Sequence, residues 1–157
     1  MGRLSVYVNT GGRTAEAFTF YQSVFGGEFR ALLRVRDLRA KPAPPAGIDD
    51  YDDVLVAHVE YPVPLTGGVL FGTDTPELLG YPADCGLSPT LNVESDNRVE
   101  SERVFGLLAQ GAQDVIPITS PYWGAFRGSV LDRFGVRWTF TNFVESEQHL
   151  TYTSFDD

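Results

Sequence analysis

The sequence predicts an α+β protein built from two tandem βαβββ modules. Three observations lead there. Segments with period-two alternation, the mark of half-buried strands, accompany in each half one segment with helical apolar spacing. The order β-α-β-β-β then occurs twice at an offset of about 85 residues, matching Val6 with Leu91, Val8 with Val93, Phe20 with Phe105 and Gly26 with Gly111. Finally, 157 residues that are 43% hydrophobic and 13% aromatic supply enough apolar surface to fold without a disulfide or structural metal.

The elements follow in order. Residues 4–9 (LSVYVN) put Leu4, Val6 and Val8 on one face and Ser5, Tyr7 and Asn9 on the other. Thr14 is the expected N-cap of a helix whose stripe is Ala17, Phe20, Tyr21, Val24 and Phe25. Gly26-Gly27 stops it, because glycine tolerates the left-handed cap conformation. A second strand is expected over 29–35. Residues 37–53, rich in proline and charge and without a period, read as a loop or flap. Strands over 54–61 and 69–73 flank turn chemistry at Pro62, Pro64 and Gly67-Gly68.

The second half restarts with a strand over 90–94. Ser95-Asp96-Asn97 offer caps, Val104, Leu107 and Leu108 recur at helical spacing, and Gln110-Gly111 end the run. Strands over 115–118, 128–131 and 136–143 follow. The division expected is 1–74, a linker over 75–87, 88–143, and a tail over 144–157. Each module leaves one sheet face open, and two modules side by side can curl their sheets around a cavity.

Charge and cysteine content exclude some functions. A net charge of −9 opposes binding to nucleic acid or to an anionic membrane surface. No apolar run approaches the ~18 residues of a membrane span, and residues 1–12 (MGRLSVYVNTGG) lack a signal peptide's apolar segment. Cys85 is the one cysteine, so no intrachain disulfide forms; it has no neighbouring histidine and reads as an inert thiol. The expectation is a cytoplasmic protein.

The letters also carry a family resemblance. Residues 15–21 (AEAFTFY) with Phe25-Gly26-Gly27, residues 68–74 (GVLFGTD), Pro121-Tyr122-Trp123-Gly124 and residues 132–138 (DRFGVRW) resemble the vicinal oxygen chelate superfamily over roughly 4–143. That superfamily includes glyoxalase I, bleomycin-resistance proteins and extradiol dioxygenases, and the motifs look like its PhnB-like branch. The resemblance implies curved mixed sheets around a cavity and a homodimer in which partner chains complete the cavities.

It also implies, in catalytic members, a divalent metal held by His and Glu on the first, fourth, fifth and eighth strands. Here the last-strand glutamate position falls at or beside Thr139, and the histidine positions fall near Arg3 or Ser5 and near Ser88 or Thr90. None is an imidazole or carboxylate. His58 and Glu60, two apart on one strand, share a face and are weak metal candidates, since a site needs about three or four converging ligands. His58 could otherwise act as a general base, bind an anion, or simply be hydrogen-bonded on the sheet.

The remaining candidates suit a small organic ligand. Tyr7, Phe71, Tyr122, Trp123 and Phe126 are the aromatics that could line a cavity. Arg127 and Arg137 could hold a carboxylate or phosphate. Alternation puts Arg137, Thr139 and Thr141 toward the cavity and Val136, Trp138 and Phe140 toward a helix, so Trp138 reads as core. For Tyr122-Trp123, cavity wall and core filler stay equal readings. The function expected is a PhnB-like protein that binds a small organic ligand with no cofactor. The alternatives are a metal-dependent lyase, isomerase or dioxygenase, and a resistance protein whose acidic surface traps a cationic drug.

Overall fold

The computed structural model describes residues 6–8, 10–39, 51–75, 90–120 and 126–141. The first module comprises β1 (Val6–Val8), α1 (Thr14–Phe25), β2 (Ala31–Arg34), a 3-10 turn (Val35–Asp37), the short α2 (Tyr51–Val54), β3 (Val56–Pro62) and β4 (Val69–Gly72). The second comprises β5 (Thr90–Glu94), α3 (Arg98–Leu108), β6 (Asp114–Thr119), β7 (Arg127–Leu131) and β8 (Arg137–Thr141). Each module forms a mixed four-stranded sheet of the same topology, β1-β4-β3-β2 and β5-β8-β7-β6. The first strand pairs parallel with the fourth, and the other pairings are antiparallel. The protein is therefore α+β with two βαβββ modules. No helix among the described residues is long and apolar enough to cross a membrane.

Both helices pack against the sheets' inner faces, and α1 touches both sheets. Its Phe18 meets Tyr61 of the first sheet edge-on at 6.4 Å, while Tyr21 and Phe25 lie 5.3 and 5.4 Å from Trp138 of the second. On α3, Phe105 packs on Phe140 at 5.6 Å. One hydrophobic cluster therefore runs through both modules. Burying a large apolar side chain contributes about 1.5–3 kcal/mol, so this shared core is what joins the halves. Each helix pushes a phenyl ring into the space over a glycine. A Cβ on Gly72 would come within 2.5 Å of the Phe18 ring, and one on Gly128 within 3.0 Å of the Phe105 ring. The glycines stand on different strands, β4 and β7: Val59 opposes Gly72, whereas Phe140 opposes Gly128.

A buried polar tie between the modules is the carboxylate of Asp132. Its Oδ1 accepts the backbone N–H groups of Phe134 (2.9 Å) and Val136 (3.0 Å), which shapes the β7–β8 turn. Its Oδ2 accepts the hydroxyl of Tyr21 from α1 (2.8 Å) and the indole N–H of Trp138 (3.0 Å). A buried carboxylate is tolerable when its lone pairs are met in this way. Burial, and then the Asp132 charge, push the Tyr21 phenol well above its usual range.

Several local expectations change. Thr14 is the first helical residue, not the cap; Arg13 precedes it without a side-chain cap. The Thr14 N–H is met instead by Asp74 Oδ1 (3.0 Å), whose Oδ2 accepts from the Val56 N–H (2.9 Å). A carboxylate distant in sequence thus closes the helix N-terminus and the start of β3 together. The sheet-facing stripe of α1 runs through the buried Phe18, while half-buried Phe20 packs on Phe134 under the Arg133 guanidinium. Asn97 is the N-cap of α3, its side chain accepting from the Glu100 N–H at 3.0 Å. The Pro-rich 37–53 segment has regular structure at both ends, and Arg36 pairs with Asp53 at 2.9 Å across it. Residues 40–50, the core of the expected flap, lie outside the described residues, as do nearly all of the 75–87 linker with Cys85, and the tail.

Candidate functional site

With their inner faces filled by helices, the sheets present their outer faces as the places a ligand could meet. Alternation decides what stands there, modified by two bulges. On β3 the register slips by one residue between Val56 and His58, so Val56 enters the core while His58, only two residues on, points outward. On β6 a one-residue slip between Ile116 and Thr119 sends Ile118 toward the core and leaves Ile116 and Thr119 on one face. Bulges of this kind re-aim side chains beside functional sites.

The first sheet's outer face carries an aromatic group. Tyr7 pairs across the strands with Phe71, and Phe71 with Glu60. The Tyr7 hydroxyl lies 3.0 Å from His58 Nδ1. Ring centroids are 5.1 Å apart for Tyr7–Phe71 and 5.3 Å for His58–Phe71, the range of favourable edge contacts. Tyr7 is 41% exposed, so the group is open to a partner molecule. Glu60 is on the same face, but its carboxylate is held by the Arg30 guanidinium.

The second sheet's outer face forms a cleft of about 720 Å³ lined by Thr90, Ile116, Thr119, Arg127, Ser129, Arg137 and Thr139, with the Gly128 backbone. The register sets Ser129 opposite Thr139 at its centre, with Arg127 opposite Thr141 at one end and Arg137 opposite Leu131 at the other. Arg137 donates to Ser129 Oγ and to Asp114 Oδ2, both at 3.1 Å.

The sequence-read candidates therefore fall into two groups on two sheets. Tyr7, His58, Phe71 and Glu60 share the first; Arg127, Arg137 and Thr139 share the second, and the cleft's described lining comes wholly from the second. Phe126 is not a cavity residue: it is buried in the core with Arg98 above its ring. Tyr122 and Trp123 lie outside the described residues. The hydroxyls of Ser129 and Thr119 were missed at the sequence level. Strand alternation would have found Ser129; Thr119 depends on the bulge.

The fold family raises the question of a divalent metal. Among the described residues, no three His, Cys, Asp or Glu side chains come together. Where β5 and β8 meet, the outward donors are the hydroxyls of Thr90, Thr139 and Thr141, the Asn92 amide and a single carboxylate, Glu94, which falls short of the three or four converging ligands a tight metal site needs. His58 is engaged by Tyr7 and Glu60 by Arg30. These residues do not fit a tight metal centre.

No protein-family model matches the chain, and no curated protein matches it either. Solved structures do. Protein PA1353 from Pseudomonas aeruginosa is 25% identical, with a TM-score of 0.70, over 90% of this chain and 98% of that one. A PhnB protein from Bacillus cereus is 21% identical, with a TM-score of 0.65, over 90% and 100%. A glyoxalase/bleomycin resistance protein/dioxygenase from Nocardioides is 17% identical, with a TM-score of 0.52, over 98% and 91%. The architecture read from the repeat is thus met in three dimensions, and the chain has the paired βαβββ fold of the glyoxalase, bleomycin-resistance and dioxygenase proteins, the PhnB protein among them.

Proposed function

We propose that this chain is a PhnB-like cytoplasmic protein that binds a small organic molecule on its open sheet faces, without a tightly bound catalytic metal, and that it works as a homodimer. The observation that carries the reading is the second-sheet cleft, whose cations, hydroxyls and one apolar wall suit a polar organic molecule better than a metal ion. Homodimerisation rests on the arrangement of the sheets. The helices occupy the inner faces, so closing the cleft needs material from elsewhere. The exposed Tyr7, Leu33 and Ile116 are apolar groups that a second copy could cover. In such a dimer the aromatic face of one copy could complete the cleft of another.

The test uses the purified full chain. Its mass in solution is measured by light scattering, its metal content by elemental analysis, and its ligands by a thermal-shift screen of metabolite-sized compounds. The expected outcome is a dimer with metal far below one equivalent and a higher Tm with at least one organic compound. One equivalent of divalent metal, lost in His58→Ala, would overturn the metal-free reading and favour a metal-dependent enzyme. A monomer at all concentrations would overturn the dimer.

A further inference from the structure

The described arginines are mostly neutralised. Arg13, Arg30, Arg36, Arg98 and Arg103 each pair with a carboxylate. Arg127 differs. Among the described residues its guanidinium makes no hydrogen bond and no ion pair, yet it lines the cleft. Arg137, at the other end, spends one Nη on the Ser129 hydroxyl and the other on Asp114, a carboxylate on the edge strand whose side chain is 52% exposed. Another outward carboxylate of this sheet, Glu94, stands beyond Thr141 on β5 and does not line the cleft. One cation unpaired among the described residues, Arg127, and one shared with Asp114, Arg137, therefore line a single concavity in a chain of net charge −9. Against that overall negative charge, local focusing of the field by clustered cations matters more than on a neutral surface.

We propose that the cleft is an oxyanion subsite, taking the carboxylate or phosphate group of a small amphiphilic acid. The inference rests on the reading that this cleft holds the ligand. The anion sits over the Ser129–Thr139 pair. Arg127 lies two residues from Ser129 on the same face, about 7 Å along the strand, within reach of its own extended side chain. Arg127 supplies the paired N–H donors, Arg137 a second guanidinium already drawn toward the centre through Ser129, and the Ser129 and Thr139 hydroxyls the remaining hydrogen bonds. Ile116, 56% exposed at the rim, offers apolar surface for the hydrocarbon part of the same molecule.

The test titrates the full chain with benzoate, phenyl phosphate and inorganic phosphate, and with benzamide as the uncharged isostere of benzoate, following backbone amide shifts. The expected result is that the anions shift Ser129 and Thr139 and that benzamide binds at least tenfold more weakly than benzoate. Loss of a charge-assisted contact is worth roughly 10–100-fold in affinity, so Arg127→Gln should weaken the anions by about that factor and leave benzamide unchanged. Benzamide binding the cleft as tightly as benzoate, or Arg127→Gln retaining benzoate within twofold, would overturn the anion inference and leave ligand binding standing. If no probe and no compound from the thermal-shift screen shifted any residue of the cleft, the underlying reading would fall, and this one with it.

Discussion

Replacing Asp132 by Asn changes one atom's chemistry at the joint between the modules. The amide oxygen can keep the turn by accepting from the Phe134 and Val136 N–H groups, as Oδ1 does now. The amide NH2 must then face the Tyr21 hydroxyl and the Trp138 indole. The hydroxyl can turn and accept; the indole N–H cannot, because it is only a donor. One buried donor is left unmet, at about 1–3 kcal/mol, and the surviving bonds lose their charge assistance. The total comes to about 2–4 kcal/mol, a large part of a typical stability of roughly 5–15 kcal/mol. In a chain of this length that lowers Tm by roughly 5–15 °C. The assay is urea denaturation with a double-mutant cycle against Trp138→Phe, which removes the stranded N–H. The reasoning predicts that Trp138→Phe costs at least about 1 kcal/mol less in the Asp132→Asn background than in the wild type. An Asp132→Asn cost within about 0.5 kcal/mol of zero, or a strictly additive cycle, would refute it.

Two further outcomes are expected. Gly72→Ala would place a Cβ within 2.5 Å of the Phe18 ring and 2.8 Å of Thr14 Cγ2, overpacking the core at about 1–3 kcal/mol, whereas Gly106→Ala, with open space around it inside α3, should be neutral or stabilise by up to about 1 kcal/mol; thermal denaturation of the pair checks the contrast. Because folding raises the Tyr21 pKa, its contribution is complete below the unfolded value near 10 and is lost above it, as the unfolded chain releases a proton the folded chain keeps. Tyr61, pushed up to about 12 by burial, acts in the same direction between about 10 and 12. Stability should fall by about 1.4 kcal/mol per pH unit per tyrosine in that window. Urea midpoints measured as pH rises should show a shallower decline in Tyr21→Phe, and an equal slope would contradict the assignment.

The sequence alone determined the main strands and the two long helices, that their order repeats, and which face of an unbulged strand such as β8 looks inward. These follow from local rules: period two or 3.6, glycine at helix ends, and the side alternation of β8 that put Trp138 in the core and Arg137 and Thr139 outside. The same rule put His58 and Glu60 on one face. Tertiary structure decided what needs partners distant in the chain. Asp132 reads in the sequence as a turn residue, yet its second oxygen binds Tyr21, 111 positions away. The N-terminus of α1 is closed by Asp74, 60 positions away, so a local search for a cap stops at Thr14. Two one-residue bulges choose which side chains reach the outer faces, and no periodicity announces them. Packing between the modules then divides the candidate residues into an aromatic face and a cationic cleft. Alternation fixes the side of a strand a residue occupies, but only three-dimensional packing fixes what lies across from it.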